Sequence, residues 1–422
     1  MDKLEKNKAI AASIKETYAK RKMQDCKCFK FKVDKSSLSR EQSNQLKMQF
    51  VEAKWIYNYL LDKDVYTFDY KNLDTIMRKD KHKNDVEVKI QYLKSSVKQS
   101  IIQDIINQIK GLSALKKNGF KVGKLKHKSE YKSINLKQYN VTHAIRGNKI
   151  KIQGIKKAIR VRGLDQLDKH ESVDYANAKL IYDGNDYFIA LTCFIDKQTT
   201  NIKQYKNDIV GIDMGVSTTL ALSDGTKYDV SVGESEKLKK LQSKLNRQQK
   251  GSNNSHKTKM KIRKEYIHMM NKKNDISNKI VHSILSDNKI VVIQDEQIAE
   301  WKKGAVSGSK VQQSILGRVK TKLSKSDRVV MLDKWFPTTK YCDKCRTKVN
   351  LELKDRIFEC PNCKEKEDRD IHAAKNMTWF YLQYDRLDRH GICQTSKKPV
   401  KISYNKFVSL SKQEDTTSLA LY

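Results

Sequence analysis

Residues Phe336–Met377 read FPTTKYCDKC, then RTKVNLELKDRI, then FECPNCKEKEDRDIHAAKNM. Two Cys-x-x-Cys knuckles, Cys342/Cys345 and Cys360/Cys363, bracket a short hairpin-like segment. Each knuckle sets two thiolates on one tight turn, and four thiolates at this separation suit one tetrahedral Zn²⁺. Two disulfides, or four unrelated buried cysteines, are the other readings of the same spacing. Beyond the last cysteine, Asp368 and Asp370 open a helical run over 371–380. Acids there serve as caps and dipole partners, so one of the two is accounted for by the helix start alone.

Working outward, the chain has 422 residues, enough for two to four domains, and 86 Lys+Arg against 49 Asp+Glu give a formal charge of +37. Such an excess repels itself unless an extended polyanion neutralises it. The basic residues are spread along the chain, which points to nucleic acid and away from a single basic tail. A membrane surface is the weaker alternative, because no apolar run approaches the ~18 residues of a spanning helix. The first residues, MDKLEKNKAIAASIKETYAKRK, are a charged helical pattern without the apolar segment of a signal peptide. The remaining cysteines, Cys26, Cys28, Cys193 and Cys393, have no comparable spacing and are expected to stay reduced in a bacterial or archaeal cytoplasm, near the nucleoid.

The pattern predicts a strand over 26–33 and a helix from Arg40 with Leu46, Phe50, Ala53, Tyr57 and Leu60 on one stripe. Leu93, Val97, Ile101, Ile105, Ile109 and Leu112 form a second stripe, predicting one long helix over 87–112 and a small helical bundle over 40–115. From about Gly119 the period becomes two. Strands are expected at 148–155, 158–162, 180–182 and 187–194, with a hairpin turn at 183–185. These suit a small barrel, which the 26–33 strand joins with the bundle inserted between. At Asn207 a third region starts, with strands at 209–213, 218–222 and 228–232. Basic helical segments follow at 234–249 and 256–286, then a strand at 289–293. A Gly/Ser/Lys loop at 301–310, a helix to about 323 and a strand at 328–332 complete it. The order βββ-α-β-α-β-α is that of an RNase H-like fold, and the last thirty or so residues read as a polar tail.

Three acids take telling places in that order. Asp213 ends a strand in GIDMG, where flanking glycines are expected to let the backbone turn sharply. Glu296 ends another in VVIQDEQI, and Asp370 opens the helix in DRDIHAAKNM. Each alone reads as a turn acid. Together they are placed to hold Mg²⁺, a hard ion that wants oxygen ligands. Two ions roughly 3.5–4 Å apart would activate water and stabilise the leaving oxygen of a phosphodiester.

At these residues the chain resembles the TnpB family, the nucleases of IS200/IS605-type transposons related to compact type V CRISPR effectors. GIDMG, VVIQDEQI, CDKC…CPNC and DRDIHAAKNM carry the resemblance, specifically over 207–380 and more loosely before it. It implies a multidomain chain: an N-terminal helix and first wedge strand (1–39), a helical recognition domain (40–118) and a wedge β-barrel (119–206). A RuvC-like nuclease follows, carrying the first two acids and a basic helical insertion (207–335), then a zinc ribbon (336–366), the third acid and its helix (367–385) and a C-terminal tail (386–422). The implied activity is RNA-guided cutting of double-stranded DNA next to a short adjacent motif, at a single RuvC site. Asp213, Glu296 and Asp370 are then catalytic and hold Mg²⁺, two ions in all, while Cys342, Cys345, Cys360 and Cys363 hold one structural Zn²⁺. Guide RNA comes from the element's end or a CRISPR locus, with the protein on it as monomer or dimer. Lys257, Lys259 and Arg263 are candidates for the guide–target duplex, and Lys302, Lys303 and Lys310 for a lid over the cut strand.

The sequence departs from the family pattern at two places. His372 stands where Asn is usual, and Arg346 where Gly commonly follows the second cysteine. His372 is open to two readings, a contact to the scissile phosphate or a metal-bound water, or a histidine on the helix surface. Neither change removes a carboxylate or thiolate. The rival functions are a compact type V effector, a non-cutting guide-dependent regulator, which predicts a broken acid triad, and a transposase or resolvase working without RNA.

Overall fold

The computed structural model describes residues 3–80, 82, 84–197, 204–216, 218–301, 308–352, 355–387 and 399–419. They form two compact units, Met1–Thr200 and Asn201–Tyr422.

In the first unit, helix Lys3–Lys22 leads into strand Gln24–Val33. Ser39 then starts helix Arg40–Leu60 with a capping box: its hydroxyl accepts from the Gln42 amide while the Gln42 side chain takes the Ser39 amide. Leu46, Ala53, Ile56, Tyr57 and Leu60 are buried along the expected stripe. The long helix predicted over 87–112 is corrected. Residues 85–89 (DVEVK) form a strand paired antiparallel with Thr75–Lys79, and the helix runs Ser95–Lys117. The period-two D-V-E-V-K run outcompetes helix here. Buried Glu52 then accepts the backbone amides of Gln91, Tyr92 and Leu93 and holds that segment outside the helix. The expected bundle is therefore two helices and a hairpin.

Seven strands make a nearly closed, barrel-like sheet. Their order is Ser133–Leu136, Val173–Tyr182, Tyr187–Asp196, Gln24–Val33, Ile159–Arg162, Lys149–Ile152, His143–Arg146. All neighbours are antiparallel, and the N-terminal strand joins this sheet as expected, at its middle.

The second unit is built on a six-stranded sheet ordered Lys227–Tyr228, Leu220–Leu222, Asn207–Asp213, Asn288–Gln294, Val329–Leu332, Val400–Ile402. The first three are antiparallel and the rest parallel. The central strands are apolar on both faces, as parallel strands between two layers must be. Val291, Ile293, Val329 and Met331 pack toward Ile284, Leu316, Val319 and Leu323, while Val292, Val330 and Leu332 pack toward Met377, Phe380, Tyr381 and Tyr384 of helix Arg369–Leu387. Burying each such side chain is worth roughly 1.5–3 kcal/mol, so both layers hold the strand ends in register. The basic insertion is a helical hairpin, Glu236–Asn246 and Asn253–Asp287, started by the Ser235 and Ser252 hydroxyls.

Two expectations for this unit are revised. Residues 400–402, read as part of a polar tail, form the sixth strand, pairing Val330 with Val400 and Leu332 with Ile402. The 301–310 segment was read as a loop, but Lys310 lies on the short helix Gly308–Gln313. Lys302 and Lys303 lie outside the described residues.

Candidate active site and metal centres

The three acids sit at one end of the sheet. Asp213 is the last residue of its strand, and Glu296 follows the neighbouring parallel strand by two residues. Asp370 is in the first turn of the helix that crosses them. What draws that helix down is Gly211. A Cβ on Gly211 would lie 2.0 Å from the Ala374 carbonyl oxygen, so strand and helix touch backbone to backbone. Ala374 is one turn below Asp370, and Gly211 two residues before Asp213, so this contact sets one acid over the other. The sequence assigned the glycine to a sharp turn; instead it sits in regular strand, paired with Val292. Gly211→Ala should therefore push helix and strand apart, cost on the order of 3 kcal/mol as overpacking, and lower the thermal midpoint. An unchanged midpoint would remove this account of how the acids are aligned.

Asp213 senses the other two acids. Burial first, then the negative charges of Asp370 and Glu296, push Asp213 up to about 7. Burial also raises Glu296, against the opposing charges of Lys320 and Lys334. The neighbouring acids have other partners. Asp295 accepts from Lys320 at 2.6 Å and Lys401 at 2.9 Å. Asp368 caps the helix, accepting the Asp370 and Ile371 amides, and pairs with Lys227 at 2.6 Å. Asp295 and Asp368 are thus held by lysines, while the charges of Glu296 and Asp370 bear on Asp213. The trio is looser than the thiolate cluster: its oxygens do not all come within 4.8 Å of one another.

The four cysteines do gather. Cys342 and Cys363 sulfurs lie 3.5 Å apart, Cys345 and Cys360 3.4 Å, and all four fall within 4.8 Å of one another. Those separations exceed a disulfide bond of ~2.05 Å, and all four cysteines are free. They approach the roughly 3.8 Å edge of a tetrahedron with 2.3 Å zinc–sulfur bonds. The donor set fits Zn²⁺. The ribbon is two like knuckles: Arg346 and Lys364, each just after a second cysteine, adopt φ of 60° and 59° and donate their amides to Cys342 and Cys360. Left-handed backbone favours Gly, which accounts for Arg346 as a departure. Arg346 recovers that strain through Asn376 Oδ1 at 3.0 Å and the Trp379 ring, 4.2 Å from its guanidinium carbon.

The ribbon is latched to the acid-bearing helix by residues that the sequence reading left without this role. Buried Asn376 donates to the Thr338 and Tyr341 carbonyls at 2.8 and 2.6 Å. His372 is one turn earlier on the same face. Both earlier readings of it are corrected, for it is wholly buried against the ribbon. The i, i+4 spacing of His372 and Asn376 was the available signal. Among the lysine candidates, Lys257, Lys259 and Lys310 are exposed and Arg263 is half-buried.

Residues 194–303 match the family described as "Probable transposase" of the IS605 OrfB type, and residues 314–377 match "Cas12f1-like, TNB domain". The two matches take in all three of GIDMG, VVIQDEQI and the double knuckle with its helix. The resemblance to the TnpB family holds. A "Putative RNA-guided DNA endonuclease" of Streptomyces pristinaespiralis is 26% identical over 200 residues, 45% of this chain and 49% of that one. "Putative RNA-guided DNA endonuclease InsQ" of Escherichia coli K12 is 31% identical over 121 residues, 28% and 30% of the two chains. The matched stretch thus spans at most about half the length of these relatives. Among solved structures, a Cas12f1–sgRNA–target DNA complex aligns over 84% of this chain and 99% of that chain, at 14% identity and TM-score 0.38. A mini-RNA-guided endonuclease, CRISPR-Cas_phi3, aligns over 84% and 92% at 9% identity and TM-score 0.40.

Proposed function

We propose that this chain is an RNA-guided DNA endonuclease of a transposon, hydrolysing phosphodiesters at one RuvC-type site formed by Asp213, Glu296 and Asp370. The observation that carries the proposal is the convergence of two strand-end acids and one helix-start acid on a sheet whose first three strands are antiparallel and whose other three continue it in parallel. That order supports an RNase H-like nuclease core. An Asp213 carboxyl raised by burial and by the charges of Asp370 and Glu296 marks a cluster that suits hard divalent cations, and Mg²⁺ bound there would supply charge neutralisation and an activated water. The chain's own part is to fix the oxygens: Gly211 sets the Asp213–Asp370 approach, and Lys320 holds the Glu296 carbonyl at 2.6 Å while pairing with Asp295. The +37 charge and the exposed lysines of the basic helical hairpin suit a guide–target duplex gripped through its phosphates. On this reading residues 40–118 recognise the duplex, 119–206 form the wedge and 336–366 the zinc ribbon.

A compact type V effector is the second reading, favoured by the Cas12f1-like match over the ribbon. Both readings predict the same assay. Expressed with its flanking DNA, the chain should retain one RNA species, and the purified complex should cut a duplex matched to that RNA in Mg²⁺ but not in EDTA. Cutting that ignores the RNA sequence would remove guide dependence; no cutting of any matched duplex would favour a binding-only regulator. Sequencing the retained RNA separates a transposon end from a CRISPR repeat.

A further inference from the structure

We propose that Asp343, Glu367 and His372 form a second cation site, for a divalent ion of the zinc–manganese class, between the first cysteine knuckle and the ribbon helix. The site is independent of the nuclease reading. It shares no ligand with the four thiolates and uses none of the three acids assigned to cutting.

The argument starts from the imidazole. His372 is 0% exposed, and its ring stacks on Phe358 with centroids 3.6 Å apart and planes 12° from parallel. Its Nε2 lies 2.7 Å from the Tyr341 carbonyl oxygen. A carbonyl only accepts, so Nε2 carries the proton and a neutral ring turns a bare lone pair outward at Nδ1. That lone pair faces Asp343 Oδ1 and Glu367 Oε2, each at 3.6 Å. None of these three buried atoms has a hydrogen-bond partner. The outer oxygens are served otherwise: Lys375 pairs with Glu367 Oε1 and lies 4.0 Å from Asp343 Oδ2. Three unpartnered lone-pair atoms within 4.8 Å of one another need a positive centre among them.

A proton is a poor centre. Placed on Nδ1, it would still be 3.6 Å from nitrogen to oxygen on either side, beyond hydrogen-bond length. An ion fits better. With two separations of 3.6 Å and the third no longer than 4.8 Å, the centre of the three atoms lies no more than about 2.4 Å from each. Zinc–imidazole and zinc–carboxylate bonds, roughly 2.0–2.2 Å, fall within that limit. One imidazole with two carboxylates suits Zn²⁺ or Mn²⁺, whereas Mg²⁺ prefers oxygen alone. The outer shell also matches: a ligating histidine commonly donates its other N–H to a backbone carbonyl, which fixes tautomer and ring orientation. Here Tyr341 does so. Asp343 lies inside the first knuckle, Glu367 on the second ribbon strand and His372 on the helix. An ion bridging them would clamp the ribbon to the helix whose first turn carries Asp370.

The test uses the full chain, stripped of metal, reduced and kept under inert gas, then titrated with Co²⁺ as probe in excess Mg²⁺, which occupies the nuclease acids. Thiolate-to-cobalt charge transfer should saturate at about one equivalent, while dialysis and elemental analysis should show about two bound. The second equivalent should bring out a paramagnetically shifted, exchangeable imidazole N–H signal. Glu367→Gln should bind about one equivalent with the thiolate band intact, and Asp213→Asn should still bind about two. Saturation of the wild-type chain at one equivalent, or no shifted imidazole signal, would overturn the site without any variant having to fold. So would a second ion retained by Glu367→Gln or lost in Asp213→Asn. The last outcome would place that ion at the nuclease acids and leave the nuclease reading standing.

Discussion

Asp213→Asn should abolish Mg²⁺-dependent cutting, by ~10³-fold or more, leave RNA retention unchanged, and make the Mg²⁺-free protein more stable. The last effect distinguishes a crowded acid cluster from a surface turn. Asp213 is held up to about 7 by burial and by the carboxylates of Asp370 and Glu296. A raised carboxyl gives its stability in the protonated form. That contribution is complete below the unfolded value near 4 and is lost as pH rises through about 7. Asn never ionises, so it escapes the loss. A shift of this size is worth at most about 4 kcal/mol. Asp213 keeps some contact with solvent, so a gain of about 1–3 kcal/mol at pH 8 is the reasonable scale. Wild type and variant should converge near pH 4. Thermal melts of the zinc-loaded protein without Mg²⁺ across pH 4–8 measure it. A variant no more stable than wild type at pH 8 would mean that the three acids do not crowd one another, and the proposed ion site would lose its electrostatic basis.

How much of this was readable in the chain differs from residue to residue. The strand-end places of Asp213 and Glu296 were legible because short runs of Val and Ile announce buried strands, although either acid alone reads as a turn residue. The cysteine ribbon was legible because its spacing is local. His372 was not, since which neighbour a helix face meets depends on how the ribbon folds back, not on the helix's own period. Glu52 was invisible for a related reason. A buried acid reads as an error in a helical stripe until the amides of residues 91–93 are seen to need an acceptor. The 85–89 strand went the other way: the apolar stripe beginning at Leu93 was extended backwards over a period-two run it did not own. Residues 400–402 carry too short a pattern to outweigh their polar surroundings. They pair only because the parallel sheet leaves an edge open at Val329–Leu332.

The ribbon gives the second large effect. Cys360→Ser should lose the thiolate-bound zinc, open residues 340–368 to protease, and lower cutting by at least about tenfold, although no acid is touched. Cys360 is wholly buried, 3.4 Å from Cys345, and its backbone carries the knuckle by accepting the Lys364 amide and donating to Glu365. Structural zinc contributes apparent binding energies of ~10–16 kcal/mol in small zinc domains, far more than the ribbon's small core of Val349 and Phe358 can replace. Once the ribbon opens, Tyr341 no longer accepts from His372 and Asn376, Phe358 no longer covers the imidazole, and Arg346 leaves Trp379. The acid-bearing helix then keeps the Gly211–Ala374 contact and its sheet-facing layer, Met377, Phe380, Tyr381 and Tyr384, all of which lie beyond the turn that holds Asp370. Loss of zinc is therefore expected to loosen the helix at its catalytic end first. Hydrogen exchange should rise at residues 369–376 before it rises at 380–384. Uniform exchange along the helix, or a zinc content equal to wild type, would show that the ribbon does not brace Asp370.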